Sequence, residues 1–135
     1  MQLLTKEIEK KLQKSPYDLV RDKCPAVPII CKFFTPFSSW TWYVYAGNEF
    51  QNQITNQSDW ELRAWVEGNY NEDGPVLLSS LQKLTIFTGL TEVPAVERDR
   101  HFGPCLLSEI SSYKAIHNRY SDEMDWNNKA SPLHY

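Results

Sequence analysis

Glycine is scarce in this chain, five residues in 135, and none of them falls into a G-x-G-x-x-G or P-loop spacing. Phosphate binding on a glycine-rich turn is therefore not expected. Cysteine is scarce too: Cys24, Cys31 and Cys105 form no C-x-x-C pair. Being odd in number, they cannot all pair within one chain and read as reduced thiols. No run of eighteen apolar residues occurs, so no membrane-crossing helix is expected. The opening MQLLTKEIEKKLQK mixes charged with apolar residues and lacks the uninterrupted apolar core of a secretory signal. These absences point to a cytoplasmic protein that neither spans nor binds a membrane. A surplus of one charge is missing as well. The net charge of −3 gives no broad basic field, which disfavours nucleic acid as a partner. It is also too small for a carboxylate-covered mimic of DNA. No G-x-S-x-G nucleophile motif occurs, and Cys31 lies in an apolar run where a thiol behaves as a small hydrophobe. No cofactor is expected.

What is present is ordinary globular material, 41% hydrophobic and 23% charged, in a length suited to one core. Leu3, Leu4, Ile8 and Leu12 recur at helical spacing over residues 3–14 and predict an amphipathic N-terminal helix. Pro16, Pro25 and Pro28 bracket an irregular connector. A first strand is predicted over Val27–Phe34, rich in β-branched and aromatic residues, and a second over Trp40–Ala46. In the second, Trp40, Trp42, Val44 and Ala46 share one face, and Thr41, Tyr43 and Tyr45 share the other. The amide-rich 48–58 reads as a loop. In DWELRAWVEG, Trp60, Leu62, Ala64 and Val66 point to the core, leaving Glu61, Arg63, Trp65 and Glu67 wet. Asn71–Gly74 reads as a turn into a short strand, and Ser79 or Ser80 caps a brief helix carrying Leu81 and Leu84 inward. Leu106, Ile110, Tyr113 and Tyr120 fall on one C-terminal helical stripe, with His117 alongside. The sum is an α+β domain: an antiparallel meander of about four strands, an N-terminal helix, a short helix after the sheet and a C-terminal helix. It spans 1–135 as one domain, with a core over 3–104, a helical extension over 105–121 and a frayed tail over 122–135.

Two motif groups carry a resemblance. Lys32-Phe33-Phe34-Thr35-Pro36 followed by Ser39-Trp40-Thr41-Trp42-Tyr43 is the first, and Val96-Glu97-Arg98-Asp99-Arg100-His101-Phe102 the second. Between them stand Trp65-Val66-Glu67-Gly68 and Leu78-Ser79-Ser80-Leu81. In this order they resemble an uncharacterised bacterial domain-of-unknown-function family of small proteins carried on plasmids, integrative elements and phages. The resemblance covers roughly residues 3–104. It implies a compact α+β domain in a mobile-element setting, and it brings no activity or catalytic residues with it. Two departures stand out: the amide-rich segment after Tyr45, and Gly-Pro-Val-Leu-Leu before Ser79.

The chemistry must come from the residues. If extended, Glu97, Asp99 and His101 lie on one face, where two carboxylates and an imidazole could hold a divalent metal or do acid–base work, with His117 or His134 as recruits. The simpler reading gives Arg98 and Arg100 to ion pairs and the carboxylates to backbone donors. The segment Phe33–Gly47 packs seven aromatic side chains into fifteen positions. Its Trp face suits burial. Its Tyr face, Tyr43 and Tyr45, could with Trp65 stack on a ligand or on single-stranded bases, with Lys32, Arg63, Arg98 and Arg100 for polar contacts. With no assembled catalytic motif, the sequence points to a non-enzymatic interaction module whose partner is a host or element-encoded protein, an inhibitor of a defence or restriction component being one form. A metal-dependent enzyme and a single-strand nucleic-acid binder are the alternatives.

Overall fold

A computed structural model describes residues 2–117, which form an α+β fold. Tyr120, His134, the end of the predicted extension and the predicted tail lie outside the described residues. Helix α1 (Lys6–Gln13) starts where Thr5 caps it, its hydroxyl accepting the Ile8 N–H at 3.2 Å. Glu7 and Glu9 in its first turn and Lys10 and Lys11 in its last complement the helix dipole. After Pro16 comes α2 (Tyr17–Val20), then a 3-10 turn over Arg21–Lys23, where the sequence suggested only an irregular connector.

The chain next lays down an antiparallel meander of β1 (Cys31–Phe34), β2 (Thr41–Gln51), β3 (Ser58–Glu67) and β4 (Asn71–Leu77). It enters α3 (Leu78–Lys83) directly and forms a separate hairpin of β5 (Thr85–Phe87) and β6 (Glu92–Pro94). It returns as β7 (Glu97–Arg98) on the free side of β1, giving the order β4-β3-β2-β1-β7. A 3-10 turn over Leu107–Glu109 precedes a helical segment at 111–117, here α4.

Both faces of the sheet are covered. On one, Leu12 of α1 and Leu81 of α3 join Phe33, Trp42, Val44, Trp60 and Leu62. On the other, Val20, Val27, Ile29, Leu107 and Ile110 close over Tyr45, Ala46 and Trp65. A β-bulge explains how β2 feeds both. Val44 pairs with Ala64 and Ala46 with Arg63, so Tyr45 has no register partner and the facing of every later residue is inverted. Ala46 therefore belongs with Tyr45 on the second face, and not with Trp42 and Val44 as strict alternation predicted. Gly47 consequently faces α1. A Cβ there would lie 3.2 Å from Leu12 and 3.1 Å from Leu62, so glycine lets the helix sit close.

Other boundaries differ from expectation for tertiary reasons. Val27 and Ile29 are not in the sheet: the Ile29 N–H donates to the Cys105 carbonyl and the Leu107 N–H to that of Val27, so this half of the predicted strand pairs with the C-terminal segment. The predicted loop 48–58 is strand at both ends, since long-range pairing carries β2 to Gln51 and opens β3 at Ser58. Only 52–57 turn, around the Asn52 carboxamide oxygen, which accepts the N–H groups of Ile54 and Thr55. Asn71–Gly74 is strand, with the turn moved to 68–70. The stripe from Leu106 breaks into a 3-10 turn and α4, and Leu84 points outward.

Candidate functional site

The Glu97–His101 segment stays extended for only two residues before the chain turns at 100–101. The alternation that would align Glu97, Asp99 and His101 is therefore cut short. One oxygen of Asp99 accepts the His101 backbone N–H at 2.9 Å, and the other lies 3.7 Å from Lys32 Nζ. The His101 ring is exposed. Arg98 ties the N-terminus to the sheet edge, donating to the carbonyls of Gln2 and Leu3. Arg100 is exposed. His117 is on α4, its ring stacked on Tyr113 at 3.8 Å. Among the described residues no three His, Cys, Asp or Glu side chains group so as to hold a metal ion.

The aromatic candidates are placed otherwise than alternation suggested. Tyr45 is 1% exposed and Trp65 3%, so both belong to the second core rather than to an open surface. Alternation left Trp65 wet because the helix covering it comes from a distant part of the chain. Tyr43 is half-buried against Phe102, with Lys32 over its ring. Burial, and then the neighbouring Glu67, raise its phenol above the usual range. Arg63 is not free on a wet face. Its guanidinium donates twice to Asp73 Oδ2, at 3.1 and 3.2 Å, and lies over the Tyr17 ring at 4.5 Å. Tyr45 donates to Asp73 Oδ1 at 2.6 Å. Burial and this bond both hold the Tyr45 phenol protonated well above its ordinary range. Burial works against the Arg63 charge, but the Asp73 bonds outweigh it and hold the guanidinium above its usual value.

No thiol is activated. Burial pushes Cys31 up to about 12. Burial, followed by Asp73 for Cys24 and Glu109 for Cys105, raises the other two. None has the depressed value a nucleophilic cysteine needs.

Two of the concavities among the described residues have aromatic side chains of the sheet in their walls, one on each face. The first is an apolar cleft of about 460 Å³ lined by Trp40, Trp42, Leu84, Ile86 and Ala95, with only the hydroxyls of Thr35, Ser38 and Thr85 for polarity. Trp40 is stacked on Trp42 at 5.9 Å and lies so close over Gly68 that a Cβ there would come within 2.2 Å of its ring. Leu84 is 46% exposed, and the adjoining hairpin leaves Phe87 67% and Leu90 94% exposed. The hairpin is positioned by α3: the Ala95 N–H donates to the Leu84 carbonyl just after the helix. The helix in turn is anchored by Asp59. Its buried carboxylate accepts from Ser79 Oγ at 2.5 Å, from the Ser79 N–H at 3.1 Å and from the Trp60 N–H at 2.7 Å. Asp59 thus acts as a remote cap on a helix whose own cap position, Leu77, has no capping side chain. Burial works to raise the Asp59 pKa, but these bonds outweigh it and keep the carboxyl below its ordinary range.

The second concavity, about 370 Å³, lies where α2 and α4 flank the opposite face, and is lined by Tyr17, Arg21, Tyr45, Trp65, Asp73, Tyr113 and His117 among others. Sequence reading missed both concavities. For the first, a signal existed: an apolar Phe87 and Leu90 flank Gly89, whose φ of +96° marks the hairpin turn. For the second, the sequence singles out Tyr45, Trp65 and His117, but nothing in it brings Tyr17, Asp73 and Tyr113 to them, because these come from three separate segments.

Compared with known proteins, the chain matches no family model, no curated protein and no solved structure.

Proposed function

We propose that this chain is a non-enzymatic protein-interaction module whose partner is a protein of a bacterial host or of the mobile element carrying it, with inhibition of a defence or restriction component as the role. The observation that supports binding is the apolar cleft between the Trp40–Trp42 stack and the β5–β6 hairpin, bordered by exposed Leu84 and Phe87. A cleft with three hydroxyls and no titratable group on its walls has little with which to do chemistry. It gains free energy by being covered, and contiguous exposed apolar surface of this kind marks interaction sites. Aromatic walls around an open pocket suit an apolar anchor side chain from a partner. The mobile-element setting rests on the sequence motifs alone.

The test compares capture by the tagged wild-type chain and by a Leu84→Asp/Phe87→Asp variant from a bacterial lysate, read by quantitative mass spectrometry. Both positions are solvent-exposed, so the variant should keep the circular dichroism spectrum and melting midpoint of the wild type. A partner recovered at least about tenfold less by the variant, and then bound by purified wild type alone, supports the proposal. Recovery of no protein whose capture depends on these two positions overturns it.

A further inference from the structure

The recess on the opposite face is more polar, and it is built differently. Its floor is Tyr45 and Trp65, and its walls include Tyr17, Tyr113 and His117. The rings are fixed in place. Trp65 Nε1 donates to Ser112 Oγ at 2.8 Å, tying the sheet to α4. Trp65 meets the edge of Tyr113 at 5.1 Å and 76°, and Tyr113 stacks on His117. The Tyr45 hydroxyl is committed to Asp73, and Asp73 to Arg63. A volume of about 370 Å³ is within the range of small-molecule sites, which are concave, largely apolar and pre-formed with a few placed polar groups.

The charge on the walls decides what kind of molecule fits. Asp73 is neutralised by two hydrogen bonds from Arg63, so it presents no net attraction for a cation. Arg21, which also lines the recess, has no ion-pair partner among the described residues. One uncommitted guanidinium beside aromatic faces matches a flat ring bearing a carboxylate. The ring would pack against the partly exposed rings of Tyr17 and Tyr113 above the buried Trp65, and the carboxylate would take the planar fork of Arg21. We propose that this recess is a binding site for a small planar aromatic carboxylate. It is separate from the protein-binding cleft and does not depend on that reading.

The probes are three indoles of similar shape: indole-3-acetate, its neutral alcohol tryptophol and the cation tryptamine. Each is titrated into the full chain, following the indole N–H resonance of Trp65 in ¹H–¹⁵N spectra. Indole-3-acetate should move that resonance saturably, and tryptophol and tryptamine should bind at least about tenfold more weakly. Arg21→Gln, at an exposed position, should weaken indole-3-acetate by about tenfold while leaving tryptophol unchanged and the fold intact. Leu84→Asp, on the other face, should bind indole-3-acetate as the wild type does. The proposal is overturned if no probe gives a saturable shift at millimolar concentration, if the three probes bind alike, or if Arg21→Gln changes nothing.

Discussion

Replacing Asp59 by alanine should cost this protein a disproportionate share of its stability. The carboxylate is 6% exposed and receives three hydrogen bonds, two of them from Ser79 at the first turn of α3. Hydrogen bonds to a charged acceptor contribute about 1.5–3 kcal/mol each, and a lost helix cap alone costs about 0.5–2 kcal/mol. The buried Trp60 N–H loses its acceptor, and the Ser79 pair loses the anchor that holds the first turn of α3. The expected cost is about 3 kcal/mol, which for a chain of this size lowers the melting midpoint by roughly 12 °C. Asp59→Asn keeps one acceptor oxygen but no charge, and should cost about 1 kcal/mol. A sign follows from the lowered pKa in the fold. The stabilisation is complete above the unfolded value of about 3.9 and is lost as pH falls through the lower folded value. Urea unfolding by circular dichroism, repeated from neutral pH down into this acid window, should therefore show wild type converging on Asp59→Asn. A Ser79→Ala double-mutant cycle should return a coupling well above 0.5 kcal/mol, the error of additivity being about that size. An Asp59→Ala protein within about 0.5 kcal/mol of wild type would refute the account. Because α3 holds the hairpin beside the cleft, the same variant should also weaken partner capture.

Two further outcomes follow from the second core and the thiols. With its pKa pushed up to about 12 by burial, Cys31 should remain unalkylated by iodoacetamide near neutral pH while Cys24 and Cys105 react slowly, and all three should react in urea; peptide mass mapping reads this directly. Tyr45→Phe should cost about 1 kcal/mol in urea unfolding, since Asp73 keeps Arg63 as a partner and water can replace the lost donor. The raised Tyr45 phenol is stabilising below its unfolded value of about 10, and that contribution is lost as pH climbs toward the folded value, so an alkaline absorbance titration should show it ionising only with unfolding.

The fold class was legible in the sequence because period and composition agree where the chain is locally consistent. Leu12 sits on a helical face between lysines, Trp60, Leu62 and Ala64 alternate cleanly, and both patterns survive in the structure. The failures share one cause, contacts distant in sequence. Trp65 reads as wet from DWELRAWVEG because nothing local reveals that α4 packs on it through Ser112 and Tyr113. Asn71–Gly74 has strong turn chemistry, yet pairing with β3 draws it into a strand. Tyr45 lies at a bulge, which period-2 reasoning cannot detect, since the alternation appears unbroken on either side. Glu97–His101 failed as a site by the same logic: extension was assumed for five residues and pairing with β1 supports two.

The bulge also accounts for where function can lie. A regular β2 would commit every second residue from Trp42 onward to one core. The extra residue lets Trp42 and Val44 fill the α1–α3 side and Tyr45 and Ala46 fill the α4 side. The aromatic density of Phe33–Gly47 is thus consumed by two cores at once, and the centre of the sheet has no open surface to offer a ligand. What remains accessible is peripheral. On one face the accessible part is the hairpin cleft, reached from the end of β2 where Trp40 is still partly exposed. On the other it is the recess where Tyr45 turns its hydroxyl to Asp73 at the edge strand β4. Deleting Tyr45 would remove the bulge, leave Ala46 paired with Arg63 on the second face and take the Tyr45 ring out of the recess. The cleft, whose Trp40 and Trp42 precede the bulge, should keep its walls while the recess loses part of its floor, just as point changes at Leu84 or Arg21 should disturb one concavity and spare the other.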